Sequence, residues 1–278
     1  MSSGAQERIT RITPPSGWSA IDLNEIWQHR ELVWFLIWRD IKVLYKQTFL
    51  GIAWAVLQPF ILMVVFTVIF GRLVKVEAGE IPYSIFAFIG LVIWAYFSKA
   101  LNNASNSLVG NAPLLSKIYM PRAILPMAST FSPLVDLIFS STFMLILMAV
   151  YGYAPTLRLF YMIPFALMAS MLCFSCGLIL SSINVRYRDV SYILPFAIQV
   201  WFFLTPIVYP ANVLSESWRW VFWLNPMTVV VDGFRWAVVD YPFPSHKAMI
   251  LSLSVIFMLT VGGSYFFKRM ESSFADVV

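Results

Sequence analysis

The stretch RDIKVLYKQTFLGIAWAVLQP, Arg39 to Pro59, sets Arg39, Asp40, Lys42 and Lys46 against one of the most apolar runs in the chain. On a helical wheel Trp34, Trp38, Ile41 and Tyr45 fall at i, i+4, i+7 and i+11, one apolar stripe, with Arg39, Lys42 and Lys46 clustered beside it. A helix of that pattern lies in a membrane surface instead of crossing it. Its aromatic face meets the acyl boundary, and its cations meet anionic headgroups at about 1 kcal/mol per basic residue. A plain anchor of juxtamembrane Lys and Arg explains the same charges. Gly51 then lets the chain turn into an apolar span.

The composition agrees with a membrane setting. Of 278 residues, 60% are hydrophobic and only 12% charged, and the mean hydropathy is +0.76, outside the range of ordinary soluble domains. The 24 Phe, 12 Tyr and 11 Trp suit aromatic belts or aromatic-lined cavities. A net charge of +5 is too small to point to nucleic acid. Residues 1–19 are polar, with no apolar stretch soon enough for a cleavable signal, so the N-terminus is expected in the cytoplasm. Cys173 and Cys176 form a C-x-x-C inside the apolar MLCFSCGLIL, where polar access is lacking, and they carry no expected chemistry.

About 20 apolar residues cross the hydrocarbon, and six segments qualify: Leu50–Phe70, Ser84–Leu101, Thr130–Tyr151, Leu159–Ile183, Val190–Tyr209 and Ala248–Phe267. Six crossings return both termini to one side. Lys and Arg divide thirteen to six in favour of the side holding the termini, which predicts both in the cytoplasm. Between the fifth and sixth spans, Pro210 to Lys247 holds two short apolar pieces broken by Asn225-Pro226. Neither is long enough to cross, and a re-entrant or interfacial helical hairpin on the outer face is predicted. The fold class is therefore an all-α integral membrane protein with six transmembrane helices, an N-terminal interfacial helix and this hairpin.

Candidate functional residues lie at four places. In the inner connection from Asn102 to Pro126, Leu114, Leu115 and Ile118 are at helical spacing beside Lys117 and Arg122, a short amphipathic helix able to dock into a soluble partner or to lie on the membrane. Asp136 is the single acid well inside a predicted span, and Ser129, Ser132, Asp136 and Ser140 form a polar stripe. It either lines a pore or a dimer face, or pairs helices structurally. Arg186 and Arg188 sit between two apolar helices at headgroup level, where a guanidinium fork suits a diphosphate; topology and an Asp189 cap on the next helix form the alternative. On the outer side Trp201, Phe203, Tyr209 and Trp220 belong to a dense aromatic set, either a sugar-stacking path or an interfacial belt. There is no phosphate-binding G-x-x-x-x-G-K-[ST] loop, H-E-x-x-H or G-x-S-x-G, and His29 and His246 lie near no candidate nucleophile. The chain is not expected to be an enzyme or to hold a cofactor or metal.

Taken together, RDIKVLYKQTFLGIAWAVLQP, KIYMPRAILP, NVRYRDVSYILP, TPIVY and NPMTVVVDGFR resemble the permease subunit of ABC-2 type exporters for lipid-linked polysaccharides such as O-antigen, capsule and teichoic acid. The likeness runs from about Leu32 to Arg269. It implies a cytoplasmic arm over residues 1–30 and a transmembrane domain over 31–278, a homodimeric channel in the bacterial inner membrane, and two ATP-binding subunits docked on the cytoplasmic side, which hold the ATP and Mg. The interfacial helix corresponds to Glu31–Phe49, the element meeting the ATPase to the Pro113–Arg122 region and the outer gate helices to Pro210–Pro244. The implied cargo is an undecaprenyl-diphosphate-linked glycan, which favours a headgroup role for Arg39, Lys42, Lys46, Arg186 and Arg188. A permease for drugs or small hydrophobic molecules is the first alternative, and a polytopic enzyme acting on polyprenyl-phosphate sugars the second. The scarcity of clustered His, Asp and Glu argues against the enzyme.

Overall fold

The computed structural model describes residues 21, 23–46, 51–75, 81–115, 117, 119–211 and 219–271, and all regular structure among them is helical. A short helix, α1 (Leu23–Gln28), leads into α2 (Arg30–Tyr45). Leu36 is the buried residue of α2, while Trp34, Phe35 and Trp38 of its aromatic face point away from the protein. Gly51 adopts a φ of 49°, in the left-handed region that suits glycine, and the chain turns there into α3 (Ala53–Phe66). Pro59 sits inside α3 and denies Ala55 the backbone donor it would otherwise receive. Ser140 from a neighbouring helix supplies one: its Oγ donates to the Ala55 carbonyl at 2.8 Å. Past Phe66 the helix widens into a π-helical turn, Thr67–Leu73.

The central element is α4 (Tyr83–Gly110), 28 residues long. Within its apolar window 78% of residues are buried inside the protein, against 11% for the segment built on α3. The predicted span Ser84–Leu101 lies within it, but the helix does not stop there. Asn102, Asn103, Asn106 and Ser107 lower the hydropathy without interrupting the backbone ladder. The first nine residues of the expected inner connection are thus helix. After α5 (Ala112–Leu115) the chain forms α6 (Ile124–Phe131) and α7 (Leu134–Val150), one apolar segment broken at Ser132-Pro133.

A 3-10 turn at Leu157–Tyr161 opens α8 (Met162–Arg186), which packs along α4. The two approach closely where Gly177 faces Ala104; a Cβ on Gly177 would lie 2.6 Å from that of Ala104. Then come α9 (Val190–Leu204), α10 (Arg219–Trp223), α11 (Pro226–Val238) and α12 (His246–Glu271).

Among the described residues five segments are long and apolar enough to cross a membrane: Ala53–Leu73, Tyr83–Gly110, Ile124–Val150, Leu157–Arg186 and His246–Glu271. They match five of the six predicted spans. The other, Val190–Tyr209, is helical only over the 15 residues of α9. Its end has a local cause: Thr205 precedes Pro206 and is pushed into extended backbone, with φ −105° and ψ 133°. The two pieces of the predicted hairpin are α10 and α11, separated where Asn225-Pro226 was expected to break them.

Candidate functional site

Along α4, Lys99, Asn102, Asn103, Asn106, Ser107 and Asn111 recur at i, i+3, i+4, i+7, i+8 and i+12, one face of the helix. That face lines two neighbouring cavities. One, of about 280 Å³, lies under α2 with Asp40, Ser129 and Ser132 in its wall. The other, of about 400 Å³, is bounded by Trp54 and Gln58 of α3, Tyr96, Asp136, Ser140 and Ile198 of α9. Lys99 lines both.

The charges along this groove are partnered. Lys99 Nζ lies 2.5 Å from Asp136 Oδ2, and the Tyr45 hydroxyl donates to the other oxygen of the same carboxylate. Asp136 therefore joins α7 to α4 and to the end of α2. Burial, and then the hydrogen bond to Asp136, raise the Tyr45 phenol above its ordinary range. Asp40 is held by Arg39 at 2.8 Å, and the same guanidinium donates to Asn111 Oδ1 at 2.8 Å. Arg39 thus clamps α2 to the end of α4 while Lys42 lies over the Trp38 ring, 5.3 Å from its centroid. Lys42 and Lys46 are exposed. Deeper along the stripe, Asn106 Oδ1 accepts from Asn184 Nδ2 at 3.1 Å and Ser191 Oγ at 2.7 Å, tying in the ends of α8 and α9. Arg186 and Arg188, between those two residues in sequence, are exposed, and Arg186 rests 5.5 Å from the centre of the Tyr187 ring.

The segment expected to meet a partner divides in two. Leu114 and Leu115 are half-buried and pack with the core around Leu36, Leu108 and Phe267. Lys117 and Tyr119 are exposed. Arg122 donates to the backbone carbonyl of Glu271 at the end of α12, so it holds the bundle together. Ile118 lies outside the described residues.

At the other end of α4 sits a feature that counting charges did not reveal. Arg235, one of the six basic residues that the charge count leaves on the side away from the termini, is fully buried. Its Nη1 donates to the Pro206 carbonyl at 2.9 Å, its Nη2 to the Ile207 carbonyl at 2.6 Å and its Nε to the Phe86 carbonyl at 3.4 Å. Asp232 accepts from Nη1 at 3.2 Å, and the guanidinium lies 3.5 Å from the centroid of Phe86. Burial pushes the Asp232 carboxyl up to about 6 and lowers Arg235, while the charge of each counters the shift of the other. Tyr83 adds a 2.6 Å bond to the Val208 carbonyl. The TPIVY segment, which has no helix to satisfy its carbonyls, is thereby fastened to α4 and α11. Gly90 permits the approach: a Cβ there would stand 3.0 Å from the Ile207 carbonyl.

Asn225 makes the adjoining joint. Its Oδ1 caps α11 by accepting from the Met227 N–H at 3.1 Å and also accepts from Trp201 Nε1 at 3.0 Å; its Nδ2 donates to Thr205 Oγ1 at 2.8 Å. Trp201 is half-buried, with its ring edge-on to Phe97 at 5.0 Å. Tyr209 donates to the Phe203 carbonyl at 2.6 Å. Phe203 and Trp220 are exposed. Among the described residues no group of three or more His, Cys, Asp or Glu is placed to hold a metal.

Residues 31–239 match the family model of the ABC-2 type transporter. With three-quarters of its length inside that match, the chain belongs to the ABC-2 type transporter family. It is similar to the O-antigen export system permease protein RfbA of Myxococcus xanthus, with 27% identity over 92% of this chain and 98% of the relative. The Klebsiella pneumoniae protein of the same name is 26% identical over 86% of this chain and 92% of the relative. The polysialic acid transport protein KpsM of Escherichia coli is 24% identical over 81% of this chain and 86% of the relative. The expected membership of a multi-pass ABC-2 permease family is met.

Proposed function

We propose that this chain is the membrane subunit of an ATP-driven exporter of lipid-linked polysaccharide, most closely of the O-antigen kind. The observation that carries it is the polar face of α4 with its two cavities, set in an apolar bundle whose relatives, over four-fifths or more of the chain, are named for O-antigen export and polysialic acid transport. A long polar polymer needs such a lined path, because burying its hydroxyls in lipid without partners is costly.

In this reading two copies form the channel in the bacterial inner membrane, with both termini in the cytoplasm. The sparsely buried α3 lies along the path or against the second copy. Six crossings result if α9 and the extended residues after it traverse together, with α2 in the inner interface and α10 and α11 as a re-entrant pair on the outer face. Two copies of a separate nucleotide-binding subunit, which hold ATP and Mg, meet the exposed Lys117 and Tyr119 beside the Leu114–Leu115 turn. The exposed Arg186 and Arg188, with Lys42 and Lys46, face lipid headgroups, including the diphosphate of the cargo.

Deleting the chain in its host tests the proposal, with the lipid-linked glycan located by fractionation and surface labelling. Finished polymer trapped on the cytoplasmic side is expected. Normal surface glycan would overturn the reading in favour of a small-molecule exporter.

A further inference from the structure

We infer that the groove along α4 binds uncharged sugar units of the cargo, and not its anionic linkage. The inference rests on the exporter reading and specifies which part of the cargo the groove takes. Two features of the wall support it. Both of its carboxylates are already matched by a cation, Asp40 by Arg39 at 2.8 Å and Asp136 by Lys99 at 2.5 Å, so the groove has no excess charge. It nevertheless has polar capacity to spare. The side chains of Gln58, Asn103, Ser129 and Ser132 line the two cavities and make no hydrogen bond to any described residue.

Amides and hydroxyls that can both donate and accept match the hydroxyls of a neutral sugar. Trp54, half-exposed in the same wall, offers a flat face for the C–H side of a pyranose ring. The larger cavity, at about 400 Å³, is within the size range of small-molecule sites. A phosphate or sialic-acid carboxylate at Lys99 would have to take the ammonium from Asp136 and then lie beside the released carboxylate. Like charges at that distance repel, so the pair acts against anions.

The test uses surface-glycan export in the deletion host, complemented with variants and normalised to the amount of chain in the membrane. Gln58→Met with Asn103→Leu removes the free amides and should slow export roughly tenfold, the effect of losing one or two hydrogen bonds. Asn103→Leu alone substitutes where the pair does not accumulate, and Asn103→Gln should restore function. Lys99→Gln with Asp136→Asn removes both charges while keeping an acceptor for Tyr45, and should slow export less than the amide variant does, because the pair is partly exposed. Normal export by the amide variant would overturn the inference. Loss of export by the charge-free pair, at unchanged membrane level, would also overturn it, because Lys99 would then be holding an anion. If deletion itself traps no polymer, the exporter reading falls first, and the two failures are told apart.

Discussion

Two arrangements of opposite charges pack against α4, and they are built differently. Around Arg235 the cation is sealed off, with donors on the Pro206, Ile207 and Phe86 carbonyls and on Asp232. Around Lys99 the pair stands at a cavity wall, with side-chain exposures of 36% for Lys99 and 13% for Asp136. A charge used to fasten backbone segments needs every donor occupied, because a vacancy there has no water to fill it. A charge beside a path needs only to be neutralised. The first arrangement is a joint and the second is part of a surface.

That contrast predicts a ranking of effects. Arg235→Met should be the most damaging, removing the guanidinium donors of the Pro206 and Ile207 carbonyls and of Asp232 and costing about 3–5 kcal/mol, as for breaking a buried pair. Thermal unfolding of the detergent-purified protein would show it, and a loss as small as that of Asp136→Ala would break the comparison. Asn225→Ala removes the α11 cap and the partner of Trp201, with an expected loss of about 1–2 kcal/mol in the same assay. Ser140→Ala should cost about 1 kcal/mol by leaving the Ala55 carbonyl without its donor. Pro59→Ala would return that donor to the helix, so a double-mutant cycle should show the two substitutions compensating; strict additivity would contradict the account. Asp136→Ala should destabilise by no more than about 1 kcal/mol, since Lys99 reaches water in the cavity. Arg186→Gln with Arg188→Gln should have the smallest effect on folding, measured as membrane level, because both side chains are exposed.

Much of this arrangement could be read from the chain. Five spans are set by hydropathy and length, and the Asn225-Pro226 break is set by proline chemistry. The extent of α4 was not legible, because a hydropathy window averages over all faces of a helix. A one-sided stripe from Lys99 to Asn111 therefore looks like the end of a span. The partner of Asp136 left a usable signal: Lys99 is the one basic residue inside any of the predicted spans, and an acid in the membrane needs a cation. Arg235 was harder. Its Asp232 partner at i−3 is visible in sequence, but its main acceptors are carbonyls from TPIVY, some thirty residues earlier, exposed only because Pro206 ends α9. Ser140 illustrates the same limit. Its place in a polar stripe left a pore and a structural pairing of helices both open, and its bond to a carbonyl released by a proline in another helix could not be read from its own neighbours.

One consequence follows from α4 running unbroken for 28 residues. At 1.5 Å per residue it is about 42 Å long, well beyond the roughly 30 Å of hydrocarbon. One end is bound through Asn111 to Arg39 of α2, and the other holds Phe86 and Gly90 against the Arg235 joint. It is a single rod with a handle at each end. A tilt imposed on one handle reappears at the other, so a push at the α2 end would reach the Arg235 joint without any relay of side chains between.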